Sequence, residues 1–331
     1  MKKLVALFTG LMLICLVIVE TDAQKSRAVR ANPSKVYQPT AFESSIELQT
    51  ILNNAVGETL NKFAPKKVTS NDVAATLIDL RDSANPKMAN YRGDQKIYPA
   101  SVVKMFYLAA IHQWLEDGRI KTLTPELTRG LKDMIVDSSN EATQYILDVL
   151  TDTSSGGELP AKEFETWSYK RNAVNRYFLS LGYENINVNQ KTFCEDAYGR
   201  EQQFRKYKGE NRNMLTTNAT ARLMTEIALG KSVSAERSKQ MLDLMRRDFS
   251  GTTKDADDQA HGFTAIALNE LNLKDAKLWS KAGWTSKTRH DAAYIETPEG
   301  LKFVLVVFTE NFANERDIIP SIASVILKNL K

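Results

Sequence analysis

"YPASVVKMFYLAA", residues 98–110, holds one charged residue, Lys104, in a segment otherwise almost wholly apolar. A helix that is apolar nearly all round is a buried helix, so from Val102 to Ile111 the spacing predicts a core helix with an amine inside it. Burial disfavours the ammonium form and makes the neutral amine available as a base near neutral pH. Ser101 falls one turn away on the same face. A weakly nucleophilic hydroxyl is thus set beside a base, at the positive end of a helix, where developing negative charge is favoured. Pro99 suits the approach to the helix start. The same letters also fit a helix-capping serine and a lysine whose stem snorkels to the surface. On this stretch alone the two readings stand level.

The chain around it has 331 residues and 43% hydrophobic content, ample for a packed core. Ile46, Leu48, Ile51, Leu52, Val56 and Leu60 carry helical periodicity over 42–63, and "VAATLIDL" (73–80) is strand-like before the turn-rich "RDSANPK". Helical patterns then dominate: 101–116, 126–136, 140–150, 171–181, 217–229 and 234–247. They are broken at Asp117-Gly118, at 154–157 and by a polar stretch, 184–213, of the kind that in compact proteins is often functional. "KLWSKAGW" (277–284), "DAAYIET" (291–297) and "LKFVLVVFTE" (301–310) read as strands, with a hairpin turn at Pro298-Glu299-Gly300 and a closing helix over 312–330. Short connections imply antiparallel pairing. The expectation is an α+β architecture, an antiparallel sheet flanked by helices plus an all-helical lobe. Residues 41–100 and 274–331 would form the sheet lobe and 101–273 the helical lobe, with the site in the cleft between them.

Met1-Lys2-Lys3, the apolar run Leu4 to Val19 and Thr21-Asp22-Ala23 read as a signal peptide over 1–23. The run is shorter than the ~20 residues of a spanning helix. Residues 24–40, polar and punctuated by Pro33 and Pro39, read as a flexible lead-in. A periplasmic or secreted protein without a stable membrane span, acting as a monomer, is expected. Only Cys194 would remain after cleavage, so no internal disulfide is expected. His112, His261 and His290 lie far apart, and no metal or other cofactor is expected. The 44 basic residues are interleaved with 40 acidic ones, so the net charge of +4 does not point to nucleic acid as a partner.

Two further elements stand downstream: Ser138-Ser139-Asn140 in "DSSNEAT", between two predicted helices, and Lys281-Ala282-Gly283 in "SKAGW", on a strand. Each has a structural alternative. Ser138 with Glu141 fits a capping box, and Lys281 fits an exposed strand lysine. In that order with Ser101-x-x-Lys104, the set resembles the S-x-x-K, S-D-N and K-T-G motifs of the penicillin-recognising serine enzymes, class A β-lactamases among them, over roughly residues 42–331. The resemblance implies a β-lactamase-like fold and acyl transfer. Ser101 would be the nucleophile, Lys104 its base, Ser138 a proton relay, and Lys281 a positive charge for the substrate. Backbone N–H groups of Ser101 and Trp284 would form the oxyanion hole, with Asn140 and Gly283 lining the substrate site.

Three departures accompany it. Ser139 stands where the family usually has aspartate. Ala282 cannot supply the usual hydroxyl, although Thr285 and Ser286 are near in sequence. Ser101 and Ser138 are only 37 residues apart, which implies a more open rim. Arg289 falls close to where many class A enzymes bind a substrate carboxylate, and equally fits a solvated strand arginine. "NQKTFCEDAYGREQQ" (189–203) takes the place of the omega loop. Glu195 is the candidate for the carboxylate that activates the deacylating water and Glu201 the reserve, while either fits a solvated charge. Gly199 stands where asparagine is usual, and Cys194 is expected to pack as a small hydrophobe. The leading expectation is β-lactam hydrolysis through an acyl-enzyme on Ser101. The alternatives are a DD-peptidase or esterase acting on peptidoglycan-related substrates, and a covalent β-lactam-binding sensor without efficient turnover.

Overall fold

A strand covered on both faces must be apolar at successive positions, because its side chains alternate between the two. "KFVLVVFTE" meets that requirement and lies mid-sheet. The computed structural model describes residues 37–330; the expected signal peptide and the lead-in up to residue 36 lie outside the described residues. The chain opens with β1 (Glu43–Ser44) and α1 (Ile46–Phe63), followed by β2 (Val73–Asp79) and β3 (Lys87–Tyr91). The helix begins at Ile46 rather than 42 because the Ser45 hydroxyl accepts from Leu48 N at 3.2 Å and caps it.

The middle carries α2 (Val103–Glu116), α3 (Pro125–Ile135), α4 (Asn140–Thr151), α5 (Ala161–Arg171), α6 (Ala173–Ser180), α7 (Gly199–Arg205), α8 (Thr217–Ala228) and α9 (Ala235–Met245). The tail runs β4 (Arg246–Arg247), α10 (Thr264–Glu270), β5 (Lys277–Trp284), β6 (Thr288–Glu296), β7 (Lys302–Glu310) and α11 (Ile318–Asn329). The closing helix starts at Ile318, later than the expected 312. The strands order as β1-β3-β2-β7-β6-β5-β4. Pairing is antiparallel except for the short β1, which runs parallel to β3, so the expected antiparallel sheet is in fact mixed.

Each face of the sheet supports its own core. Leu77, Ala293, Leu305 and Val307 pack with α1 and α11. Ile78, Ala292, Val304, Val306 and Phe308 pack on the opposite face, against α8 and the cluster containing α2. All of α2 from Val103 to His112 is buried, as its composition requires. Beyond Leu278–Trp279, β5 loses β4 as a neighbour, and Ser280–Trp284 presents a free edge toward the start of α2.

Candidate active site

Ser101 lies in a 3-10 turn, Ala100–Val102, between Pro99 and α2. Ala100 adopts φ +46°, a left-handed conformation that costs a non-glycine residue ~1 kcal/mol or more. Gly283 on the free edge of β5 approaches this turn so closely that a Cβ there would fall 2.7 Å from Ser101 N and 2.9 Å from Pro99 O. Glycine is required by contact, since φ is unremarkable at this position. Along the edge, Ser280 O accepts from Arg247 and Ala282 N donates to Gln259, so the even-numbered residues turn their backbone groups outward. That alternation gives Trp284 N–H the same direction.

Lys104 is fully buried. Its Nζ donates to the Ser138 carbonyl and, at 2.9 Å, to Asn140 Oδ1, and lies 3.3 Å from Ser138 Oγ. No hydrogen bond joins it to Ser101. Ser138 reaches one amine with both its carbonyl and its hydroxyl because it adopts φ +58°. The cap of α4 is made one residue later, where Ser139 Oγ accepts from Ala142 N at 3.0 Å. The Ser138–Glu141 capping box allowed by the sequence is therefore not formed, and Ser138 is left to the site.

Lys281, also fully buried, donates to Ser138 Oγ at 2.9 Å, to Ala282 O at 2.7 Å and to Gln259 Oε1. The Ser138 hydroxyl therefore stands between two amines, and it has one hydrogen. It can donate to the lone pair of one amine while accepting from the other, so the trio is satisfied with one neutral amine and one ammonium. Electrostatics agree: burial pulls Lys104 down to about 7, partly opposed by Glu141 and Cys194. Burial, then repulsion from Lys104 and Arg247, holds Lys281 well below the ordinary lysine range. Two ammonium ions against one hydroxyl would be disfavoured on both counts.

Arg289 takes no part in this cluster. It is buried, pairs with Asp257 at 2.6 Å and lies 3.9 Å over the Phe263 ring. Neither Thr285 nor Ser286 replaces the missing hydroxyl of Ala282: Thr285 Oγ1 closes the β5–β6 turn through Thr288, and Ser286 is exposed.

The segment 184–213 is pinned to α2 by Tyr107, whose hydroxyl donates to Gln190 O at 2.7 Å, and is closed on itself where Asn213 Oδ1 accepts from Gln190 N at 2.9 Å. The loop residue that meets the cluster is Cys194, with Sγ 3.5 Å from Asn140 Nδ2 and 3.9 Å from Glu141 Oε1. Glu195 is exposed and forms no hydrogen bond or ion pair among the described residues. Glu201 is buried in a two-pronged pair with Arg171 at 2.8 and 2.9 Å, with Ser155 at 2.9 Å and Lys191 at 3.6 Å. It anchors the loop. Gly199 explains the missing asparagine: at φ +53°, a Cβ there would fall 2.0 Å from Gly156 O. Gln259 is the site residue that the sequence reading missed. It lies in the aperiodic "DADDQAHG", and no spacing rule marks it.

A family described as "Beta-lactamase enzyme family" matches residues 55–330. Among solved structures, the chain is similar to a β-lactamase from Sphaerobacter thermophilus, with TM-score 0.58 and 18% identity over 84% of this chain and 96% of that one. A β-lactamase from Chitinophaga pinensis gives 0.58 and 17%, covering 84% and 100%. PBP-A gives 0.57 and 18%, covering 88% and 99%. At such identities these likenesses establish the fold. No curated protein matches the chain.

Proposed function

The chain belongs to the beta-lactamase enzyme family, and from that premise we propose that this serine hydrolase opens β-lactam amide bonds through an acyl-enzyme on Ser101. The observation that carries the reading is the Ser138 hydroxyl held between Lys104 and Lys281. Neutral Lys104 takes the Ser101 proton as Oγ attacks the lactam carbonyl, contributing ~10²–10⁴-fold as a general base. The backbone N–H groups of Ser101 and Trp284 receive the oxyanion. The proton held by Lys104 passes through Ser138 to the departing lactam nitrogen as the C–N bond breaks, and Lys281 restores the hydrogen bond to Ser138. Asn140 Oδ1 and the Ser138 carbonyl keep Lys104 aimed throughout. Residues 1–23 support export to the periplasm or beyond, and no described helix is long and apolar enough to cross a membrane.

A second reading, covalent capture with slow release, is favoured by the loop. Glu195 is exposed, Glu201 is consumed by Arg171, and the atom beside Asn140 is a thiol rather than a carboxylate. Purified protein mixed with a chromogenic cephalosporin separates the two. Sustained colour development supports hydrolysis, and a stoichiometric burst with a stable mass adduct on Ser101 supports capture. Absence of both, with every β-lactam tried, removes the acyl-transfer reading.

A further inference from the structure

Gln259 holds a place in this cluster that no motif assigns. It is buried at 5% exposure, and both ends of its amide are engaged. Oε1 accepts from Lys281 Nζ and, at 3.3 Å, from Ala282 N. Nε2 donates to Val136 O at 2.9 Å and Ile135 O at 3.4 Å, carbonyls at the end of α3 just before Ser138. The orientation is fixed: reversing the amide would set NH₂ against an amine and an N–H, and oxygen against two carbonyls. The segment that carries it is fastened, since Asp257 pairs with Arg289 and Arg316 while Asp258 bonds His261.

We propose that Gln259 is a positioning residue that decides which amine of the pair carries the proton. Its carboxamide oxygen holds Lys281 as the donor to Ser138 and leaves Lys104 as the acceptor of the Ser101 proton. The inference rests on the acyl-transfer reading of this site. An acceptor without charge suits the task, because Lys281 is faced by Lys104 from α2, Arg247 from β4 and Asp291 from β6. An uncharged oxygen directs the Lys281 protons toward Ser138 without adding a further charge to the cluster. Gln259 also occupies the Ala282 N–H, beside the side chain that lacks a hydroxyl.

The test is the pH dependence of Ser101 acylation, followed by intact mass on the full chain, in wild type, Gln259→Glu and Gln259→Met. A carboxylate at 259 should hold the Lys281 ammonium and move the alkaline limb of acylation up by about one pH unit or more. Methionine, of similar length without an acceptor, should move that limb down and slow acylation roughly tenfold or more. Wild-type limbs in both folded variants would overturn the inference. Should wild type not acylate at all, the functional reading fails instead, and the inference is then decided by ¹⁵N NMR titration of the Lys281 amine, assigned by its loss in Lys281→Met. A higher midpoint in Gln259→Glu supports it, and an unchanged one overturns it.

Discussion

Replacing Lys104 by arginine keeps the charge and most of the volume but removes any prospect of a neutral base, since guanidinium does not lose its proton near neutral pH. An ordinary lysine at 10.5 is neutral in fewer than ~1 molecule in 10³ at pH 7. Burial brings Lys104 to about 7, where about half the molecules carry the free amine. The change from 10.5 to about 7 corresponds to about 5 kcal/mol in favour of the neutral form, and the fully buried side chain is not screened by solvent. Acylation of Ser101, measured by stopped-flow mixing with a penicillin and mass analysis, should therefore rise about tenfold per pH unit below 7 and flatten near ~8, ahead of the alkaline limb at which Lys281 loses its proton. Lys104→Arg should lose the ascending limb and ~10²–10⁴-fold in rate. A profile flat from pH 5 to 8, or an arginine variant within threefold of wild type, would refute the assignment of Lys104 as the base.

Gly283→Ala should cost ~1–3 kcal/mol in urea unfolding and depress acylation, because a methyl group 2.7 Å from Ser101 N must displace the nucleophile's turn; unaltered kinetics would show that this contact is dispensable. Glu201→Gln should lower stability by ~1–3 kcal/mol, because the fully buried Arg171 then keeps only Asp148, at 3.1 Å, as a charged partner. Release of acyl product should change no more than folding does, and a selective loss of release in a stable variant would return Glu201 to the chemistry. Cys194→Glu would put a carboxylate next to Asn140 and should speed release of the Ser101 adduct by tenfold or more; an adduct lifetime unchanged in that variant argues against Cys194 marking the water-activating position.

What was legible in the sequence was local. The buried α2 announces itself by composition, β7 by its apolar run, and the amines and Ser138 by position in an ordered set. What was not legible depends on partners distant in the chain. β3, α5, α7 and α10 are short or weakly patterned and are held by tertiary packing. Spacing puts Arg289 near the carboxylate end of the cleft, but it cannot show that Asp257, from an irregular loop, already engages it. Residue type and position single out Glu195, a glutamate in the right loop, yet the loop presents the preceding residue to Asn140 instead. Gln259 acts through the two ends of one amide, a geometry with no linear signature.

The meeting of Gly283 with the Ser101 turn joins the first third of the polypeptide to its last fifty residues. The proposed nucleophile and oxyanion donor thus close over a loop of some 180 residues, and such remote closures form late in folding. A nascent chain released from the ribosome before β5 emerges would carry Ser101 and Lys104 yet lack reactivity. Labelling by a penicillin would then count only molecules whose two ends have already found each other, making covalent capture a readout of completed folding.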